Sequence, residues 1–128
     1  MMKVPLAQPI MTEEMIEAAS NALRNERLTM GESMFKFEED FARMCGVKHA
    51  VSVNSGTAAL QLSLLAAGVK AGDVVTTSSM SFVATTNAYV AFGGVPAFSD
   101  VLEDEYTLDP EKIALGPDVK AIIPVHLY

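Results

Sequence analysis

The sequence has no tryptophan and one cysteine among 128 residues. A lone thiol, Cys45, cannot close an intramolecular disulfide, so packing must hold the fold, and the pattern suits a reducing cytoplasm. Cys45 falls on the apolar stripe of an expected helix, where buried packing is its ordinary role. Cations are scarce: nine Lys and Arg stand against sixteen Asp and Glu, for a net charge of −7. They are also scattered, which disfavours nucleic acid or an anionic membrane as partner, because both reward clustered basic residues. Long apolar runs are missing. Pro5, Gln8, Pro9, Glu13 and Glu14 interrupt the segment after Lys3, so neither a signal peptide nor a membrane helix is expected. Walker A and Gly-x-Gly-x-x-Gly sequences are absent too, and nothing points to ATP or a dinucleotide.

What is present is a globular composition, 50% hydrophobic, enough to bury a core. From Thr12 the spacing is helical, with Met15, Ile16, Ala19, Ala22 and Leu23 on one face and an end near Arg27. After Gly31, the residues Met34, Phe37, Phe41 and Met44 recur every three or four positions until Gly46, which predicts a second amphipathic helix with a core-facing stripe. The pattern then changes. Residues 50–53 read as a short buried strand, followed by a helix over 58–67, a strand over 74–77 and a helix over 82–92. A strand over 95–98, a brief helix over 110–115 that starts at Asp109-Pro110, and a strand over 121–125 complete the series. Residues 1–46 thus form a helical N-terminal segment and 47–128 a βαβαβαβ unit. Alternating strands and helices with short loops argue for the α/β class with a mostly parallel sheet. The acidic group Asp100, Glu103, Asp104, Glu105, Asp109 and Glu111 lacks the spacing and glycine of a calcium loop and reads as a solvated loop. No metal site is expected.

In parallel α/β sheets, ligands sit beyond the carboxyl ends of strands, where helix N-termini present unpaired N–H groups to anions. Ser55-Gly56-Thr57-Ala58 occupies such a place. Gly56 lets backbone approach closely, Ser55 and Thr57 bring hydroxyls, and the amides of Thr57 and Ala58 are candidates to hold a phosphate. Simple capping of the helix by Ser55 or Thr57 is the alternative. Ser78-Ser79-Met80-Ser81-Phe82 follows the next strand and puts an aromatic ring at the same edge, suited to stacking on a flat heterocycle or to packing in the core. His126 ends the last strand at that edge and could meet a ligand or bond internally. His49 is expected to be exposed.

These residues together carry a resemblance. Phe37-Glu38, Gly46, Ser55-Gly56-Thr57-Ala58-Ala59-Leu60, Gly72-Asp73-Val74-Val75, Ser81-Phe82-Val83-Ala84-Thr85, Gly94-Val95-Pro96 and Pro124-Val125-His126-Leu127-Tyr128 agree in order and spacing with one family. The sequence resembles the N-terminal third of the DegT/DnrJ/StrS sugar aminotransferases, a branch of the fold-type I pyridoxal-phosphate enzymes. The resemblance implies a three-layer sandwich, part of an aspartate aminotransferase-like large domain. It implies pyridoxal 5′-phosphate as cofactor, with Gly56, Thr57 and Ala58 at its phosphate, Ser55 as a neighbour and Phe82 on its pyridine ring. The segment Thr29, Met30 and Gly31, with His126, would help shape the substrate side. The implied reaction moves an amino group from a donor, usually glutamate, to a keto group on a nucleotide-linked sugar, in polysaccharide or amino-sugar biosynthesis. Family members are usually dimers, so a homodimer is expected.

The sequence departs from the family's pattern by ending at Tyr128, so no catalytic residue is assigned. The lysine of the Schiff base and the Asp that pairs with the pyridine nitrogen are expected beyond it. Lysines 3, 36, 48, 70, 112 and 120 match no Schiff-base motif. In the family the first strand pairs with one encoded later. Residues 50–53 are therefore expected to be unpaired, re-paired or satisfied by a second copy. Two other functions stand against the aminotransferase reading. A truncated, catalytically inactive phosphate-binding fragment would keep the helix end alone. A hydrolase would use Ser55, Asp100 and His126, but Val53 and Thr57 stand where its nucleophile elbow needs glycines.

Overall fold

The computed structural model describes residues 5, 7–113 and 115–127; Lys3 and Tyr128 lie outside them. The chain divides into two compact units between Ser52 and Val53.

The first unit holds two helices, α1 (Glu13–Asn25) and α2 (Glu32–Cys45). Thr12 caps α1, its hydroxyl accepting the Met15 N–H at 3.3 Å, and Glu13 and Glu14 lie favourably in the positive first turn. Gly31, at the N-cap of α2, has no side chain to offer. The Glu26 carboxylate replaces it, accepting the Ser33 N–H at 2.9 Å together with the Ser33 hydroxyl. The hydroxyl and then the amide of Ser33 hold the Glu26 carboxyl below its ordinary range. A depressed carboxyl contributes stability above its unfolded pKa and loses it as pH falls through the lowered value, so this cap opens only in acid. Gly46, at φ 66°, ends α2.

Two expectations fail in this unit. The Met and Phe stripe of α2 is not core: Phe37, Phe41 and Met44 are exposed, and so is Cys45. Periodicity identifies an apolar face without supplying the layer that covers it. Residues 50–53 form no strand and are not buried, with Val51 78% exposed. No ladder partner is available to them among the described residues. The Glu38 carboxylate instead accepts the Ser52 N–H at 2.7 Å and its hydroxyl at 2.8 Å. The backbone requirement of Ser52 is met by a side chain, and of the three alternatives the segment takes the first, unpaired with any strand.

The second unit contains α3 (Gly56–Ala66), β1 (Val74–Ser78), α4 (Ala84–Val90), β2 (Val95–Ser99) and β3 (Val119–Ile123). The strands are parallel in the order β2-β1-β3, confirming the α/β class. β1 is central and its residues from Val75 to Ser78 are buried. Thr77 satisfies its hydroxyl there by donating to the Ile123 carbonyl at 2.9 Å. Leu64 of α3, Val75 of β1 and Ala88 and Tyr89 of α4 form the core with Val69, bordered by Leu60, Phe92, Ala121 and Ile123.

β3 begins and ends two residues earlier than the sequence suggests. Its register shifts between the partners of Val74 and Val75, and Pro124, without an N–H, ends the pairing. The expected helix at 110–115 is a 3-10 turn, Pro110–Lys112, with Asp109 accepting the Glu111 N–H at 3.0 Å; residue 114 lies outside the description. The acidic loop is exposed as expected, except Asp109, which is buried at this cap. No helix among the described residues is long and apolar enough to cross a membrane.

Candidate functional site

Because the strands are parallel, with Ser78 opposite Ser99 and Thr77 opposite Ile123, they end at one edge of the sheet. The connection from β1 to α4 leaves from that edge and carries Phe82. It is tightly tied. Met80 donates its N–H to Ser78 Oγ at 3.0 Å, the Thr85 N–H reaches the Phe82 carbonyl at 2.9 Å, and the Ser81 and Thr85 hydroxyls lie 2.6 Å apart. These bonds replace the first expected turn of the helix, so α4 starts at Ala84 rather than at residue 82. Phe82, which could have been core, projects outward at 76% exposure.

A cavity of about 530 Å³ lies beside this ring. One wall is α3, through Gly56, Thr57, Ala59, Leu60 and Ser63, and the other is Phe82, Ala84 and Thr85. The volume falls in the range of small-molecule sites. Among the described residues, no ionisable side chain lines it. An anion here would meet hydroxyls, amides and the positive end of α3's dipole, with no carboxylate among the described lining residues to repel it.

Ser55 is the N-cap of α3, and its hydroxyl accepts the Ala58 N–H at 3.2 Å, while Ala59 bonds the Ser55 carbonyl at 3.0 Å. The capping alternative is thus realised, and the Ala58 amide, one of the two expected to face an anion, is engaged within the protein. A hydroxyl two bonds from its own backbone is always near, so it takes this donor first. Helix geometry leaves the amides of Gly56 and Thr57 without intrahelical acceptors. Gly56 has an ordinary backbone conformation, and a Cβ built on it would meet nothing within 4 Å. Open space beside a helix N-terminus is the form a phosphate cradle takes, and these residues fit a phosphorylated, planar cofactor.

Among the remaining site candidates, the structure gathers some and leaves others apart. Gly56, Thr57 and Phe82 share the cavity; Ser55, Ala58 and His126 are not on its walls. His126 is exposed, three residues past the end of β3. In the first unit, Met30 and Gly31 line a separate groove of about 360 Å³ with Asn25, Glu26, Arg27, Glu32 and Phe35; Thr29 is exposed beside them. Met30 adopts φ 55°, a left-handed conformation rare outside glycine, and a Cβ on Gly31 would come within 2.7 Å of the Arg27 carbonyl oxygen and of Glu26 Oε2. The sequence reading missed Leu60, Ser63 and Thr85. The signal was available: Leu60 and Ser63 follow Gly56 at helical spacing, and Thr85 stands three residues after Phe82. No group of three or more His, Cys, Asp or Glu among the described residues converges to hold a metal.

A profile of the DegT/DnrJ/EryC1/StrS aminotransferase family matches residues 9–128. The chain is similar to the spore coat polysaccharide biosynthesis protein SpsC of Bacillus subtilis (strain 168), with 40% identity over 125 residues, 96% of this chain and 32% of SpsC. Among solved structures, DesV of S. venezuelae is 39% identical with a TM-score of 0.83, over 90% of this chain and 32% of DesV. NtdA of Bacillus subtilis, solved with bound cofactor PMP, is 35% identical with a TM-score of 0.84, over 91% of this chain and 28% of NtdA. The chain spans about a third of the length of these relatives.

Proposed function

Since the chain belongs to the DegT/DnrJ/EryC1/StrS aminotransferase family, whose members depend on pyridoxal phosphate, we propose that it supplies the cofactor-seating part of a sugar aminotransferase. The observation that carries this is the single cavity shared by the N-terminus of α3 and the ring of Phe82. Gly56 and Thr57 hold the phosphoryl oxygens through their amides, and the Thr57 hydroxyl adds a donor. Ser55 keeps that end of the helix in shape by occupying the Ala58 amide. Phe82 covers one face of the pyridine ring and sets its tilt. When bound, the cofactor supplies an electron sink for the transfer of an amino group. No lysine lines the cavity among the described residues, and the residues that do contribute seating and orientation.

The substrate is a keto sugar linked to a nucleotide and the amino donor is an amino acid, glutamate in the usual family pattern. SpsC, by its name, serves polysaccharide biosynthesis, and the same pathway class suits this chain. The Thr29, Met30 and Gly31 turn and His126 belong to the substrate side. The working protein is a cytoplasmic homodimer.

Titration with pyridoxal 5′-phosphate, read by the absorption and circular dichroism of the bound ring, tests the seating. Phe82→Ala should weaken binding about two- to tenfold, since stacking contributes about 0.5–1.5 kcal/mol. The melting temperature should not move, because the ring is exposed. Unchanged affinity in this variant would remove Phe82 from the site.

A further inference from the structure

Resting on that reading of the cavity, we propose that the Ser81 and Thr85 hydroxyls act as a pair of positioning residues that fix the Phe82 ring before the cofactor arrives. Phe82 has little packing of its own at 76% exposure, so its place must come from its backbone. That backbone is bracketed. The two hydroxyl oxygens lie 2.6 Å apart across residue 82, and the Thr85 N–H donates to the Phe82 carbonyl at 2.9 Å, closing a small ring around it. The 2.6 Å separation lies within the range of a well-made O–H···O bond. On its other side the loop is tied to the buried strand β1 through Ser78 Oγ and the Met80 N–H.

Thr85 is 8% exposed and lines the same cavity as Gly56 and Phe82, so its hydroxyl reaches Ser81 from inside the wall. An aromatic ring on a loose loop must be ordered when ligand binds, whereas one already held in place contributes its full contact. The pair therefore acts on ring stacking and leaves the phosphate, which is held by α3, unaffected.

Two probes separate these parts in the full chain. 4′-Deoxypyridoxine 5′-phosphate carries ring and phosphate without an aldehyde, and inorganic phosphate carries the anion alone. Thr85→Val and Ser81→Ala should each weaken the ring probe about two- to fivefold, no more than loss of the Phe82 ring itself, and reduce its induced circular dichroism. Inorganic phosphate should bind the variants as it binds the wild type, and Thr85→Ser should restore the ring probe. Ser81 is only half-buried, so Ser81→Ala decides the matter should Thr85→Val lower the melting temperature. Ring-probe affinity and dichroism equal to wild type in both variants would overturn the proposal, as would parallel weakening of both probes. Failure of the wild type to bind the ring probe would instead defeat the cofactor site itself.

Discussion

Gly56→Asp should keep or raise the melting temperature while cutting affinity for pyridoxal 5′-phosphate about a hundredfold or more. The two effects have opposite signs for separable reasons. Gly56 is the first helical residue of α3, where an acidic side chain stabilises by about 0.3–1 kcal/mol through the helix dipole and the loss of glycine's flexibility adds a few tenths. Space is available, since a Cβ there meets nothing within 4 Å. The same carboxylate would stand where a phosphate is to sit. At about 5 Å and an effective dielectric near 20, one pair of like charges costs about 3 kcal/mol, or more than a hundredfold in affinity. A thermal melt and a calorimetric titration of one preparation check both halves. Binding lost together with the melting transition would mean only that the variant misfolds, and binding retained would show that no anion approaches this end of α3.

The largest effect on stability is expected at Tyr89, the biggest of the fully buried side chains, at 0% exposure. Tyr89→Ala should destabilise the second unit by about 3–5 kcal/mol, the usual cost of emptying an aromatic site. Domains of this size are stable by only about 5–15 kcal/mol, so the variant should approach unfolding. Tyr89→Phe should behave oppositely. No hydrogen bond of good geometry closes on the Tyr89 hydroxyl among the described residues. Burial raises the phenol above its ordinary range, and the neighbouring Thr86 hydroxyl offsets this only in part. Removing an unsatisfied buried hydroxyl while keeping the ring should leave stability within about 1 kcal/mol of wild type or improve it. Urea unfolding followed by far-ultraviolet dichroism distinguishes the pair. Equal losses in both variants would mean that the hydroxyl carries a bond after all.

The parts of the fold that were legible are those written in local pattern. Thr12, Gly46 and Asp109 mark ends by chemistry that acts within a few residues, and all three do so in the structure. The strand at β1 and the helix at α3 follow from apolar runs bounded by Gly and Ser. What escaped depends on partners distant in sequence. Residues 50–53 have the composition of a strand, but a strand exists only with a ladder, and Glu38 satisfies Ser52 instead. The apolar faces of α1 and α2 were readable as faces, yet composition cannot say what, if anything, covers Met15, Phe37 or Met44.

The site divides the same way. Gly56 was visible as the glycine of a serine-capped helix start and Phe82 as the aromatic residue after β1, and the structure brings the two to one cavity. The bond between the Ala58 amide and Ser55 was not legible, because a helix N-terminus offers several donors and sequence does not say which of them the cap takes. Thr85 was missed because a threonine in the first turn of a helix is ordinary until its hydroxyl partner is known.

The most direct measurement is nuclear magnetic resonance of the chain titrated with 4′-deoxypyridoxine 5′-phosphate. The amide signals of Gly56 and Thr57 should shift with the same saturation curve that governs nuclear Overhauser contacts between the Phe82 ring and the pyridine protons. Shifts centred elsewhere, or ring contacts without any change at Gly56 and Thr57, would contradict a single ligand shared by the head of α3 and the Phe82 loop.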